Sequence, residues 1–523
     1  MLEKGKLFIS YITGYWTHLF FLSLIVIGMP FSKFLMSLGT IALIVNWLLE
    51  GGLISKFKSF FNNRVALFST GVFVVFFLGL IHTQDFAYGF KDLRIKIPLL
   101  VFPVIFSTTH RLKKPHYFLI VRLFVLSVLA SSLYGFLAYQ DILPAKKEVN
   151  QIRDISQFIS HIRFSMMIVL SLFLIPKLFN KNIPQKVFSV ITSLWFLYFL
   201  SFMESATGLV LGFVTLFFIS LYYLFKKKSI YGFAMIAPIL ISGFIMGQNL
   251  LSTYNTVKLD VSDKQETTKS GNAYDIDSVY YFFDNGNYSN DYMCEKELET
   301  SWNSISDVPY YGVEDEYGTK YILIRYLTSK GLRKDKEGVL TLTNRDITNI
   351  ENKIPNYLHA NSNIVSRIHL LMFEIDGYFQ GVNSGGNSLA QRLQYWKLSK
   401  AMIQESPFFG YGTGDVPLEF KKQYEANKKC LDKVYQLRSH NQYLSTTIAL
   451  GLVGLLFFLF FVLYPVKTAF RERNYFYLIC LCIALLSFIS EDTLETQDGV
   501  FFFAFLTNFF LFSSRNRYLK SVD

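Results

Sequence analysis

The chain has 523 residues, a formal net charge of +12, 51% hydrophobic residues with 54 Phe and 32 Tyr, and only 17% charged residues. This composition excludes an ordinary soluble enzyme and marks a membrane protein. The positive excess falls in short clusters between apolar stretches, so it reads as topology, and no nucleic-acid partner is expected.

A helix needs roughly 20 residues to cross about 30 Å of hydrocarbon. Apolar stretches at 13–30, 32–50, 65–82, 95–108, 117–139, 162–179, 187–203, 208–225 and 230–251 precede a long polar segment, and 442–466, 475–490 and 499–513 follow it. An all-α polytopic membrane protein with about twelve transmembrane helices is expected. The stretch 95–108 is short and carries Pro98 and Pro103, which suits a tilted or re-entrant segment. The first apolar stretch lacks a small-residue cleavage site and is followed at once by a second, so it reads as a retained helix. Lys56, Lys58 and Arg64, then Arg111, Lys113 and Lys114, Lys226 to Lys228, Lys467, Arg471 and Arg473, and Arg515 and Arg517 occupy connections on one side. Positive residues resist translocation, so that side is cytoplasmic and holds both termini.

The chain thus divides into 1–251 with nine spans, 252–439 as one large extracytoplasmic domain between the ninth and tenth spans, and 440–523 with three spans. Within the domain, 318–350 alternates apolar and polar residues as a small α+β patch, with a helix start at Thr343 to Asp346. Ser388 and Gln391 have capping-box spacing, and Leu389, Leu393 and Trp396 continue it as a helix of about four turns ending before Pro407. Gly410, Gly412 and Gly414 follow at alternate positions, suited equally to a tight turn and to close approach of a ligand. Cys294 and Cys430 both fall outside, where a disulfide is chemically permitted. Asp275 with Asp277, and Glu314 to Glu316, have the ligand types for a divalent cation but sit in a solvated Tyr/Asp/Asn-rich stretch. Neither a metal nor a cofactor is expected.

The segment RSHNQYL, 438–444, stands directly before the tenth span. Ser439 and Gln442 again have capping-box spacing, which puts His440 and Asn441 in the first turn of an outward-facing helix, where free amides and the dipole favour an anion. The dipole would also keep His440 neutral and available as a base. A purely interfacial hydrogen-bonding role fits the same spacing.

An Arg-containing helix ending in P-x-x-G-x-G (Pro407, Gly410, Gly412), followed by H-N-x-Y-L (His440 to Leu444) running into G-L-x-G-L (Gly451 to Leu455), resembles the O-antigen ligase and polymerase superfamily. SHIRFSMMIVLSL at 160–172, the ending EDTLETQDGVFFFAFL and the late large loop resemble it too. One motif departs: where many members have S-R-T-G, this chain has Ser205, Ala206, Thr207 and Gly208, so Arg163 or Arg94 would supply the charge.

The resemblance implies a GT-C-like bundle in the bacterial inner membrane, active on its periplasmic face. The implied reaction is metal-independent transfer of a glycan from undecaprenyl diphosphate to an acceptor hydroxyl. The acceptor would be lipid A core in lipopolysaccharide biosynthesis, or a growing glycan or a protein for related polymerases and O-linked oligosaccharyltransferases. Such a site needs a base and cations for the leaving diphosphate. His440 is the candidate base, and Arg392, Arg163, His161, Asn441, Arg94, Arg153 and Arg438 are candidate substrate contacts. For Arg163 the alternative is interfacial snorkelling, and for Arg392 an ion pair with a loop carboxylate. A lipid-linked glycan transporter is the rival class, but the internal repeats and midplane charges expected of one are not seen.

Overall fold

The computed structural model describes residues 14–148, 152–227, 248, 267–275, 283–285, 287–311, 318–360, 364–379, 388–427 and 431–513. The apolar stretches become helices, because hydrocarbon offers no partner to a free backbone amide or carbonyl. In order these are α1 (Tyr15–Gly28), α2 (Lys33–Leu49), α3 (Leu53–Asn62), α4 (Arg64–Leu78), α5 (Phe86–Lys96), α6 (Pro98–Thr108), α7 (Lys114–Tyr139), α8 (His161–Leu178), α9 (Ile183–Phe202) and α10 (Ala206–Lys227). Next come α11 (Glu295–Trp302), α12 (Thr319–Ser329), α13 (Lys336–Leu340), α14 (Asn344–Glu351) and α15 (Ile364–Phe379). The last group is α16 (Ser388–Glu405), α17 (Val416–Ala426), α18 (Gln442–Leu463), α19 (Val466–Glu472), α20 (Tyr475–Ser490) and α21 (Gln497–Phe512).

The protein is a multi-pass membrane protein. Among the described residues, five helical stretches are long and apolar enough to cross a bilayer: Arg64–His82, Lys114–Tyr139, His161–Leu178, Ile183–Phe202 and Gln442–Glu472. The pair α2 and α3, bent by 109°, makes a sixth candidate. The other apolar stretches form helices where they are described: α10 has 22 residues, and α1, α6, α20 and α21 are shorter. The 16 residues of α21 rise only about 24 Å, and the 11 of α6 even less, as Pro98 and Pro103 suggested. Apart from Gln248, the expected span at 230–251 lies outside the described residues, as do both termini, Cys430, Asp277 and Glu314 to Glu316.

The chain packs as two units, Met1–Ile219 with Gln391–Asp523, and Ser220–Ala390. Residues 391–439, which the sequence assigns to the large polar segment, thus pack within the first. At the centre of that unit α21 is buried from Asp498 to Phe512, as a helix apolar all round must be. Phe501, Phe505 and Phe509 meet Phe102 and Phe106 of α6 edge to face, with ring centroids 5.1 to 5.9 Å apart. In a bilayer such rings stabilise the bundle through close packing and edge-to-face geometry, about 0.5–1.5 kcal/mol per pair.

Helix α18 is broken at Gly451, where φ is 67°. The break frees carbonyls and amides, and the glycine turn takes them. Tyr411 N–H donates to Ile448 O at 2.9 Å and Gly412 N–H to Ala449 O at 2.8 Å, while Leu452 N–H donates to Pro407 O at 2.8 Å. A Cβ on Gly451 would lie 2.1 Å from the Phe408 carbonyl carbon. The two glycine motifs are therefore partners in backbone docking, and the alternate glycines serve a turn.

In the second unit a core of Trp302, Tyr310, Tyr326, Leu327, Val339 and Ile350 joins α11 to α14 and a two-stranded hairpin, Phe283–Asp284 with Asn287–Tyr288. The expected helix start is α14, with a complete Thr343–Asp346 capping box. The alternating stretch before it forms α12. Its buried Leu323, Ile324, Tyr326 and Leu327 have helical spacing, which outweighs the β-branched alternation. Cys294 is a buried free thiol.

Candidate active site

Between α20 and α21 the chain reads Glu491-Asp492-Thr493-Leu494-Glu495-Thr496, a polar hinge between two apolar helices. Glu491 and Asp492 are buried, and the Glu495 side chain is only 8% exposed. A buried carboxylate must be matched by cations or donors, and each of the three recruits a different set.

Glu491, with its side chain only 3% exposed, takes Arg392 Nη2 on Oε1 at 3.0 Å and Arg163 Nη2 on Oε2 at 3.2 Å. Arg392 comes from the second turn of α16 and Arg163 from the first turn of α8. His440 Nδ1 stands 3.7 Å from Oε2, beyond hydrogen-bond reach but within ion-pair range of a protonated ring. Burial alone would raise the Glu491 carboxyl. His440, Arg163 and Arg392 outweigh it and hold the group at about 2. Among the described residues Nε of both arginines and Nδ1 of His440 are buried without a hydrogen-bond partner. Two guanidiniums on one carboxylate leave an excess positive charge and several free donors, a setting for a phosphate oxygen.

Asp492 fills the start of α18. Its Oδ1 accepts from Asn441 N–H at 2.9 Å, Ser445 Oγ at 2.7 Å and Ser439 Oγ at 3.1 Å, and Oδ2 accepts from His440 N–H at 3.1 Å. The helix cap is Asn441, whose Oδ1 accepts from Leu444 N–H at 3.0 Å. This corrects the capping box read at Ser439 and Gln442: the Ser439 hydroxyl is engaged by Asp492, and His440 precedes the helix. The anion that the helix start attracts is the chain's own carboxylate. His440 adopts a left-handed φ of 46°, a conformation with a cost for a residue bearing Cβ, and its amide bond to Asp492 holds it there. Its ring lies against Tyr395 of α16, centroids 5.6 Å apart.

Glu495 anchors a second cluster. It binds Lys96 Nζ at 2.9 Å, Arg438 Nη1 at 3.1 Å and Gln442 Nε2 at 3.3 Å. Lys96 is fully buried and also meets Asp92 at 2.6 Å. Burial would raise the Glu495 carboxyl, but Lys96 and Arg438 outweigh it and keep it well below the carboxylate range.

The sequence-derived candidates thus sort into groups. His440, Arg392 and Arg163 converge on Glu491. His161 lies within electrostatic range of Glu491, Arg153, Arg163 and Arg392. Arg438 belongs to the Glu495 cluster, and Asn441 is occupied as a cap, its Nδ2 donating to Ile489 O at 2.9 Å. Arg94 lies exposed on α5. At the divergent Ser205-Ala206-Thr207-Gly208 turn, Ser205 Oγ meets Ser165 Oγ of α8 at 2.6 Å, which sets this turn beside the helix that carries Arg163. Reasoning from sequence missed Glu491, Asp492 and Glu495 as site residues. Their signal was an acidic triplet between two apolar helices, where unpaired charge is costly.

Residues 349–459 match the family model described as O-Antigen ligase. An uncharacterised protein of Haemophilus influenzae (strain ATCC 51907 / DSM 11121 / KW20 / Rd) is 30% identical over 108 residues, 20% of this chain and 27% of that protein's length. The family match contains Arg392, the glycine turn, His440 and the Gly451 break. Arg163 and the acidic hinge lie outside it.

Proposed function

Because the chain is a member of the O-antigen ligase and polymerase superfamily, with that family's segment at 349–459, we propose that it transfers a glycan, without a metal, from undecaprenyl diphosphate to an acceptor sugar hydroxyl, foremost on lipid A core. The site would face outward from the bacterial inner membrane, and the polar segment 252–439 would form its extracytoplasmic domain. The observation that carries this reading is the convergence of Arg163, Arg392 and His440 on the buried Glu491.

Arg392 and Arg163 grip the diphosphate through donors that Glu491 leaves free, and offset the charge that develops as it departs. His440, 31% exposed, takes the proton of the acceptor hydroxyl. That oxygen forms the new bond to the anomeric carbon while the bond from this carbon to the diphosphate breaks, and undecaprenyl diphosphate leaves. Glu491 faces the ring from Nδ1 and stabilises the imidazolium once it forms. Arg153 adds positive field beside the diphosphate, and His161, kept uncharged by burial and by the neighbouring arginines, offers a neutral ring nitrogen.

The test is transfer by purified protein, with EDTA present, from an undecaprenyl-diphosphate-linked glycan. Lipid A core and a second lipid-linked glycan are offered as separate acceptors. Transfer to core identifies a ligase, and lengthening of the lipid-linked glycan a polymerase. Wild-type protein that transfers to neither refutes the proposal.

A further inference from the structure

Helix α17 lines one wall of a cavity of about 880 Å³ with Pro417, Phe420, Lys421, Tyr424 and Glu425, residues that share one face at helical spacing. The opposite wall is the segment from Leu431 to Arg438. The volume is that of a small-molecule site. Tyr424 Oη donates to Leu437 O at 2.7 Å and ties the walls together. Phe420, Tyr424 and Leu431 are buried, and the rings of Phe420 and Tyr424 are stacked, centroids 6.2 Å apart. Around this apolar floor Lys421, Glu425, Asp432 and Lys433 are exposed.

This chemistry selects among occupants. An acyl chain gains nothing from a ring of four charges, and a nucleic-acid strand needs a larger excess of cations than three against two acids. A saccharide fits both features: its C–H faces lie against the apolar lining, of which Leu437 is the exposed part, and its hydroxyls both donate to carboxylates and accept from ammonium groups.

The cavity ends at Arg438, two residues before His440. Arg438, at its end, is held from behind by Glu495 and by Tyr88 Oη at 3.2 Å. The Cα of Arg438 lies within about 7.6 Å of that of His440, two residues on. Tyr395, which packs on the His440 ring, donates its hydroxyl to Tyr435 O in the same wall at 2.7 Å.

We infer that this cavity is the acceptor subsite, seating a saccharide between α17 and Leu437 so that a hydroxyl reaches His440. The inference rests on the glycosyl-transfer reading, and its test separates the two. Leu437→Trp fills the cavity and Lys433→Glu reverses a rim charge, both at exposed positions. In full-length protein each variant should raise the KM for acceptor about tenfold, equivalent to about 1.4 kcal/mol, with the KM for lipid-linked donor within about twofold. Independently of turnover, core oligosaccharide released from lipopolysaccharide and repeat-unit glycan freed from its carrier are offered to His440→Asn protein in saturation-transfer NMR. One of them should bind, and Leu437→Trp should abolish the signal. An unchanged acceptor KM in both variants of an active protein overturns the inference, as does a rise confined to the donor. Binding that Leu437→Trp abolishes, alongside wild-type protein that transfers to neither acceptor, supports the cavity and refutes the glycosyl-transfer reading instead.

Discussion

Glu491→Gln removes the charge that holds the site together while keeping its size. In the folded protein the carboxyl is held at about 2, against an ordinary 4.5, because ionised Glu491 meets His440, Arg163 and Arg392. That difference corresponds to about 3 kcal/mol of stability. The group is depressed, so the stability is fully present above the unfolded value near 4.5 and is lost as pH falls from there towards 2. Two consequences follow for the variant at neutral pH. It should melt several degrees lower than wild type, and its midpoint should fall less steeply below pH 4.5. Without the carboxylate the two guanidiniums also repel, and a displacement of about 1 Å at a reacting centre costs about 100-fold in rate. Transfer should therefore drop by about that factor. The measurements are thermal unfolding in detergent across pH and initial rates of transfer. A variant that keeps both wild-type melting and wild-type transfer would refute the role given to Glu491.

Three further substitutions probe the same arrangement. His440→Asn retains a residue that tolerates left-handed φ, so folding should persist while transfer falls by about 10² to 10⁴; near-normal rates would return His440 to an interfacial role. Arg392→Lys keeps a charge for Glu491 but loses the planar fork, and should lose about 100-fold or more in transfer with little change in melting. Full activity would count against paired phosphate contact. Gly451→Ala puts a Cβ against the Phe408 carbonyl, at φ 67° and ψ −175°, an essentially glycine-only region that alone costs about 1–3 kcal/mol. Its thermal midpoint should drop, and unchanged melting would show that the break in α18 can relax.

What the sequence made legible was local. Helix α16 and its stop before Pro407 follow from spacing within 20 or so residues, and so does the α14 helix start; the residues just before Ser388 lie outside the described ones. Arg392 and His440 were nominated because they sit beside such local patterns. Their meeting point was not readable, since Arg392 and Glu491 are 99 positions apart and no periodicity links them. The misread cap shows the same limit. Ser439 and Gln442 satisfy a local rule, yet a carboxylate 53 positions from Ser439 claims the serine hydroxyl and leaves capping to Asn441. Likewise the glycines at 410, 412 and 451 could be recognised as turn formers, but only the fold shows that each turn completes the other.

The hinge at 491–495 explains how distant cations come to one place. Successive acids leave α20 in different directions: Glu491 towards α8 and α16, Asp492 to the start of α18, and Glu495 towards α5 and Arg438. Buried charges of this kind are weak contributors to stability and strict about geometry, because removing one partner strands the others. The family-matching segment supplies Arg392, Arg438 and His440 but neither Glu491 nor Arg163. That segment in isolation holds cations without their carboxylates, so the ion-paired arrangement exists only when α8, α20 and α21 are packed around it.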